Sequence, residues 1–443
     1  MSARYVIIGM GVAGIAAVEG IRKVDPLGEI TVVGDDPHGF YSRPGLAYLL
    51  TGEVEGEHLF AYPPHELHKL NARFLRGRVS RILPAECTVA LTSGETLAYD
   101  RLLIATGARA LKLDTAGSDL AGVVKLDDFD DARAILAGAK KSRSAVVVGG
   151  GITALELAEG LAARRVKVHY LLRGDRYWGN VLDEAESRIV ERRLQHDGVA
   201  IHFHSQLAEI IGRKGRVAGV RLADGTSIRC DMVASAIGIA PRLDLARACG
   251  LKLDRGILTD EFLETSLPGI FAAGDVAEIM DPETGRRVLD SLWDSAREQG
   301  FAAGMNMAGK RVRYLKAVPF NVTRLAGLTT TIIGMVGGGR DEDVIGIVRG
   351  DSESWRQAPE ATMAQTGFDV NHVRLMVGHD RLLGGIVMGD QGLSRPLEAL
   401  IRKRVDITPI RARLLEPGAP IAEIITSYRA DLAAGAASAA ASD

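Results

Sequence analysis

Residues 145–160, AVVVGGGITALELAEG, pass from a short β-branched run through three glycines into a helical pattern, and residues 6–20, VIIGMGVAGIAAVEG, do the same. The spacing of the glycines decides the fold. In the first copy Gly9, Gly11 and Gly14 follow a strand pattern and open a helix, and Asp35 ends the next strand pattern 21 residues after Gly14. Gly9 permits the tight turn, Gly11 lets the backbone approach a pyrophosphate at the helix N-terminus, and Gly14 allows helix and strand to pack closely. Ala13 lies in the same turn, and Asp35 is placed to accept hydrogen bonds from a ribose. In the second copy Gly149, Gly151 and Ala154 take the three small positions, alanine being a tolerated departure from the last glycine. Two dinucleotide cradles in one chain are expected, and 443 residues with 47% hydrophobic content suffice for two or three domains.

Composition narrows the function classes. A formal charge of −2 from 54 basic and 56 acidic residues leaves no electrostatic footprint for nucleic acid. No run of about 18 uninterrupted apolar residues occurs, so no membrane span is expected. The apolar start carries a glycine fingerprint and lacks a basic leader or cleavage-like site, so it reads as strand plus helix and not as a signal peptide. The three cysteines, Cys87, Cys230 and Cys249, form no C-x-x-C or C-x-x-x-x-C pair, so no paired redox dithiol is legible and a reducing cytoplasm is the expected setting. His65 with His68, and His202 with His204, could each present two imidazoles on one side. Neither pair has a third ligand, and no metal is expected.

Along the chain the patterns read strand and helix (5–23), strand (29–34), a helical stretch near 45–50, and short strands to 110. DDFDDARAILAGAKK (127–141) reads as a helix with Asp127 as N-cap and lysines at its negative end. The second cradle continues through VKVHYLL, the helix DEAESRIVERRLQHDG, and strands at VRLAD and MVASAIG. PGIFAAGDV (268–276) is another buried strand, ending in Gly-Asp. After about 317 strands are expected at TTTIIGMVG, DVIGIVRG, HVRLMVG and RLLGGIVMGD, then helices near 396 and 421, then a frayed low-complexity tail. The fold class is α/β: two Rossmann-like dinucleotide-binding domains plus a C-terminal α+β domain. The expected divisions are 1–114 with 241–316, 115–240, 317–430, and a tail at 431–443.

Two further stretches, YDRLLIATGARA (99–110) and TSLPGIFAAGDVAEI (265–279), resemble paired motifs of FAD-dependent pyridine nucleotide-disulfide oxidoreductases. The order matches as well: first fingerprint, ATG, second fingerprint, GD. The resemblance implies FAD in the first cradle, with Ala105, Thr106 and Gly107 closing over its middle, Asp275 after Gly274 bonding the ribityl chain, and Val79 also lining the site. It implies a nicotinamide nucleotide in the second cradle, with Gly238 beside it and Glu156 on the helix that points toward both rings. No acid ends VKVHYLL. Leu172 stands there, followed by Arg173 and Arg176, guanidiniums suited to a 2′-phosphate, so NADPH is favoured over NADH.

Relatives that use thiols carry a cysteine pair beside the flavin or one cysteine soon after the second strand, and this chain has neither. GDDPHGFYSRPGLAYLLTGE (34–53) instead resembles the E-P-H-x-P-Y-x-R-P-P-L-S-K stretch of ferredoxin, rubredoxin and nitrite reductase flavoproteins, with Arg43 and Pro44 matching. DSLWDSAREQGFAAGMNMAG (290–309) is similar to another segment of that branch, which implies Trp293 beside the isoalloxazine. Tyr48 replaces the lysine expected five residues after the arginine. Glu156 is therefore left to pair with Arg43, to bond Tyr48, or to sit partly protonated. The resemblance implies that nicotinamide reduces the flavin and the flavin delivers electrons directly to an acceptor, first of all a small rubredoxin- or ferredoxin-like protein. An NAD(P)H oxidase or quinone reductase is the nearest alternative. A nicotinamide-sensing flavoprotein resembling apoptosis-inducing factor is the alternative from another class. The basic stretch RPLEALIRKRVDITPIRAR, with six basic residues and two acids, is a solvated helix face or a dock for an acidic carrier. A homodimer is compatible with the sequence.

Overall fold

The computed structural model describes residues 2–60, 62, 64–282, 284–337, 362–368 and 371–440. The chain divides into two compact units, the first containing Met1–Arg173 and His204–Lys316, the second Gly174–Phe203 and the described residues from Ala317 onward.

The first unit contains the doubled cradle. One parallel sheet has the order Ile270–Ala272, Arg101–Ile104, Arg4–Ile8, Glu29–Gly34, Arg73–Arg76. In the other, Lys167–Leu171, Ser144–Val148, Met232–Ser235 and Val123–Lys125 follow one another, again all parallel. Tyr5–Ile8 and Ala145–Val147 are buried without a break, which is why both strands read as continuous apolar runs rather than alternating ones. Each has its successor strand on one side and a later strand on the other. The ends of these two strands are therefore topological switch points, where open α/β sheets take ligands. Each copy also inserts a three-stranded antiparallel excursion at the same place: Val79–Leu83, Thr88–Leu91 and Thr96–Ala98 in the first, and Leu207–Arg213, Arg216–Leu222 and Ser227–Ile228 in the second. The chain crosses between the copies on an antiparallel pair, Ala108–Ala110 with Ile239–Pro241.

Helix Val12–Val24 packs on helix Trp293–Met307 with backbones nearly touching. A Cβ built on Gly300 would lie 2.0 Å from the Ala13 carbonyl oxygen, and one on Gly304 would lie 2.1 Å from that of Ala17. The same small residues leave room for the Gly274 turn, whose Cβ direction meets Ala13 of the first helix at 3.2 Å and Ala296 of the second at 3.6 Å.

In the second unit an antiparallel sheet runs Phe320–Leu325, Leu328–Gly334, Leu382–Met388, Asn371–Val377, Thr362–Phe368. Helices Ser394–Arg402, Thr408–Leu414 and Ile421–Ala440 bury Leu397, Ile401, Ile410, Leu414 and Ile424 in a core with Ile333, Leu375 and Val387. Helix Glu184–His196 opens with a capping box between Asp183 and Glu186. Glu186 also accepts a 2.9 Å bond from Arg374 Nε, both side chains being buried. Burial pushes the Glu186 carboxyl up, but His372, Arg374 and the Asp183 N–H outweigh it and hold it below the usual carboxylate range.

Several expectations shift. Asp128, not Asp127, caps helix Phe129–Ala139, its Oδ1 accepting the Asp131 N–H at 2.8 Å. Helix Thr408–Leu414 and strand Thr362–Phe368 had no clear signal, one being seven residues long and the other lacking an apolar alternation. Helix Ile421–Ala440 runs through most of the stretch expected to fray, consistent with the high helix propensity of alanine. His204 sits at φ 50°, so the strand alternation expected through His202 stops before it. The strand expected at DVIGIVRG and the side chains of His65 and His68 lie outside the described residues.

Candidate functional site

The first cradle is built by close backbone approaches. Gly9 has φ 119°, and a Cβ there would lie 2.1 Å from the carbonyl oxygen of Ala105, so only glycine fits the turn. A Cβ on Gly14 would lie 2.0 Å from the Gly9 carbonyl oxygen, which seats the helix on the strand. Gly11 is different. It is exposed, it begins the helix, and nothing stands within 4 Å of its Cβ direction. Open space at a helix N-terminus with no side chain in the way fits a pyrophosphate.

Other expected residues gather round this turn. Ala105 donates its N–H to Ile8 O at 2.8 Å, continuing the sheet up to Thr106 and Gly107. Gly274 packs over Ala13, and its N–H donates to Gln299 Oε1 at 2.9 Å. Half-buried Asp275 follows directly. Asp35 is exposed immediately after strand Glu29–Gly34, and Val79 is buried where the chain returns beside Gly34 through the Gly77 N–H.

The second cradle repeats this construction. Gly149 has φ 141°, and its Cβ would lie 2.2 Å from the Ala236 carbonyl oxygen, as that of Gly9 meets Ala105. Ala236 donates to Val148 O at 2.9 Å as Ala105 does to Ile8 O. Gly151 begins helix Ile152–Ala163, Ala154 is fully buried beside Gly149, and Gly238 has φ 125°, the counterpart of Gly107 at φ 65°. Buried Leu172 follows strand Lys167–Leu171, and exposed Arg173 comes next. Arg176 is engaged within its own turn, donating from Nη2 to Gly179 O at 3.2 Å with Asp175 3.4 Å from Nη1.

Helix Gly45–Thr51, which carries Tyr48, packs on helix Ile152–Ala163, which carries Glu156. Arg164 fixes this packing by donating to Leu50 O at 2.9 Å and Leu49 O at 3.0 Å, and Gly160 leaves room for the Leu50 side chain. Tyr48 and Glu156 are both half-buried. Arg43 takes other partners: its guanidinium lies 3.7 Å from Asp36 and 3.9 Å from the Asp127 carboxylate, and donates to Asp127 O at 3.1 Å. Trp293 is half-buried at the first position of its helix.

A family model described as pyridine nucleotide-disulphide oxidoreductase matches residues 3–300 of this chain. The chain belongs to the pyridine nucleotide-disulphide oxidoreductase family. It is therefore an oxidoreductase of the NAD(P)H-dependent flavoenzymes. It is 35% identical over 356 residues to the ferredoxin–NAD(+) reductase component of the biphenyl dioxygenase system of Paraburkholderia xenovorans, covering 79% of this chain and 84% of that protein. It is 31% identical over 274 residues to a rubredoxin–NAD(+) reductase of Pseudomonas putida, covering 61% of this chain and 71% of that one. The structure of a covalent putidaredoxin reductase–putidaredoxin complex matches with a TM-score of 0.84 at 26% identity, over 97% of this chain and 99% of that one.

Cys87 is exposed, Cys249 half-buried and Cys230 buried, and all three are free. Burial pushes the Cys230 thiol up to about 12 and raises that of Cys249, so neither supplies a thiolate at neutral pH. No helix of the described residues is long and apolar enough to cross a membrane. Gln299, which holds the Gly274 turn, and Arg242, whose Nε donates to Ala108 O at 3.2 Å, were not singled out from sequence. The glutamine was visible in the Q-G pair of the segment 290–309, whereas Arg242 carries no local signal.

Proposed function

We propose that this chain is an FAD-dependent NADPH oxidoreductase that passes electrons directly, without thiols, to a small redox carrier protein of ferredoxin or rubredoxin type. Residues 1–114 and 241–316 hold FAD, and the segment beginning at 115 holds NADPH. The observation that carries the reading is the doubled cradle joined through helices Gly45–Thr51 and Ile152–Ala163, neither of which bears a cysteine.

Bound FAD would supply the exchange between a two-electron hydride donor and one-electron carriers. The chain supplies position. Gly11 and Gly151 admit a pyrophosphate each at a helix N-terminus, Asp35 takes a ribose, and Asp275 takes ribityl hydroxyls. Arg173 donates to a 2′-phosphate, a role for which it is exposed and Arg176 already occupied. Glu156 and Tyr48, on packed helices from the two cradles, define where the nicotinamide meets the flavin, a step that needs reacting atoms about 3–3.5 Å apart. The similarity to ferredoxin and rubredoxin reductases favours a carrier protein as acceptor.

The test is anaerobic reduction with NADPH followed by rapid mixing with oxygen, a quinone, a ferredoxin and a rubredoxin. Fastest multiple-turnover reduction of an iron–sulfur or rubredoxin-type carrier is expected. Faster transfer to oxygen or quinone would move the chain to the oxidases or quinone reductases, and a long-lived reduced complex with altered oligomeric state would make it a sensor.

A further inference from the structure

Asp127 stands where the sequence suggested a helix cap, but Asp128 has that task, and the Asp127 carboxylate is committed elsewhere. Its side chain is 5% exposed and meets three cations: Arg242 Nη2 at 3.4 Å, Lys125 Nζ at 3.9 Å and Arg43 Nη1 at 3.9 Å. Its own carbonyl accepts from Arg43 Nη1 at 3.1 Å, and its N–H donates to Asp131 Oδ2 at 2.9 Å. Asp131 in turn takes Lys125 at 2.6 Å.

Each cation belongs to a different part of the first unit. Lys125 ends the edge strand of the second sheet, paired with Met232–Ser235. Arg43 comes from the stretch 34–53, where Asp36 also faces it at 3.7 Å and takes the Tyr41 hydroxyl at 3.1 Å, while the Phe129 N–H donates to the same hydroxyl at 3.0 Å. Arg242 follows the crossover strand and is bound at two points to the ATG turn and at a third to Ala108 just after it. Its N–H donates to Gly107 O at 2.9 Å, its carbonyl accepts from Thr106 Oγ1 at 3.2 Å, and its Nε donates to Ala108 O at 3.2 Å. One buried carboxylate from the second cradle thus ties together the arginine and the turn that the first cradle presents to its ligand.

We infer that Asp127 is a positioning residue that, from the edge of the second cradle, holds Arg43 and the Thr106–Gly107 turn in place and sets the charge they present to the flavin. The inference rests on the reading that these two elements line FAD. A buried ionic cluster that only held the fold together would leave the flavin's electronics untouched. In Asp127→Asn the backbone bond to Arg43 and the pairing with Asp36 survive, one negative charge is removed, and three cations remain. Reduced flavin, the more negative form, then gains relative to oxidised flavin.

The experiment is spectroelectrochemical titration of the holoprotein, with FAD content measured on the same samples. Asp127→Asn is expected to favour reduced over oxidised FAD at least tenfold, about 30 mV upward for a two-electron couple. Asp127→Glu, which restores the charge, is expected to return within threefold of wild type. Lys125→Met removes a cation from the same cluster and is expected to shift the balance at least threefold the other way, and it decides the matter if Asp127→Asn does not fold. Variants that retain FAD with an unchanged potential would overturn the inference and make Asp127 a structural ion pair alone. A wild type that cannot be reconstituted with FAD would overturn the reading beneath it, and is told apart by the absence of flavin colour.

Discussion

Replacing Gly11 by alanine should separate folding from cofactor retention. At φ −77° the residue is in a conformation that alanine adopts freely, and its new Cβ would meet nothing within 4 Å. The cost to the fold is then the preference of an N-cap for glycine over alanine, about 0.5–1 kcal/mol. The methyl occupies the space at the helix N-terminus through which the backbone approaches a pyrophosphate. Forcing one extra methyl into a packed contact costs about 1–3 kcal/mol, roughly 5- to 150-fold in dissociation constant. The assay is fluorescence titration of FAD into stripped protein, with urea unfolding of the same apoprotein in parallel. Gly14→Ala is the control. Its Cβ would lie 2.0 Å from a backbone oxygen inside the protein, so it should damage stability first and binding as a consequence. Wild-type FAD affinity in Gly11→Ala, or a stability loss as large as that of Gly14→Ala, would refute the assignment of Gly11 to the pyrophosphate.

Arg173→Ala should raise the NADPH Michaelis constant and leave that for NADH nearly unchanged; an equal effect on both would show that the arginine does not read the 2′-phosphate. Arg374→Met leaves the buried Glu186 without its guanidinium and should cost about 3–5 kcal/mol in urea unfolding at pH 7. Because the folded-state Glu186 pKa is depressed, its stabilisation is present above about pH 4.3 and is lost as pH falls through the lower folded value. The gap between wild type and Arg374→Met should therefore narrow in acid, and a gap independent of pH would argue against an ionised Glu186. Replacing Cys87, Cys230 and Cys249 together by serine or alanine should leave flavin reduction and carrier reduction within a few fold, provided the buried Cys230 position packs; a folded, FAD-loaded triple variant that reduces no acceptor would show that a thiol takes part.

The two cradles were legible because their requirements are local. A glycine at φ 119° or 141° with a carbonyl oxygen about 2 Å from its Cβ direction admits no substitute, so the spacing of Gly9, Gly14 and Gly149 survives as a pattern. The ATG and GD turns are readable for a related reason: Gly107 and Gly274 sit at φ 65° and 79°, where glycine is favoured. What escaped is non-local. Asp127 and Arg242 are 115 residues apart in sequence and meet only because the crossover pair Ala108–Ala110 and Ile239–Pro241 brings them together. Read locally, Asp127 and Asp128 are equivalent N-cap candidates, and only the fold separates their tasks. Arg173 and Arg176 looked alike beside Leu172, until the 3.2 Å bond from Arg176 to Gly179 O showed one of them already spent on its own turn. Strand Thr362–Phe368 gave no period-2 apolar signal because its sequence, TMAQTGF, pairs on one side with Asn371–Val377 at the edge of its sheet.

The central claim is that electrons pass from nicotinamide through FAD to an acceptor with no thiol relay. Anaerobic titration of the holoprotein with a calibrated reductant tests it most directly, following the flavin absorbance while counting electrons. One two-electron equivalent per FAD is expected at full reduction. Uptake of two equivalents per FAD would reveal a second redox centre in the chain and contradict the account.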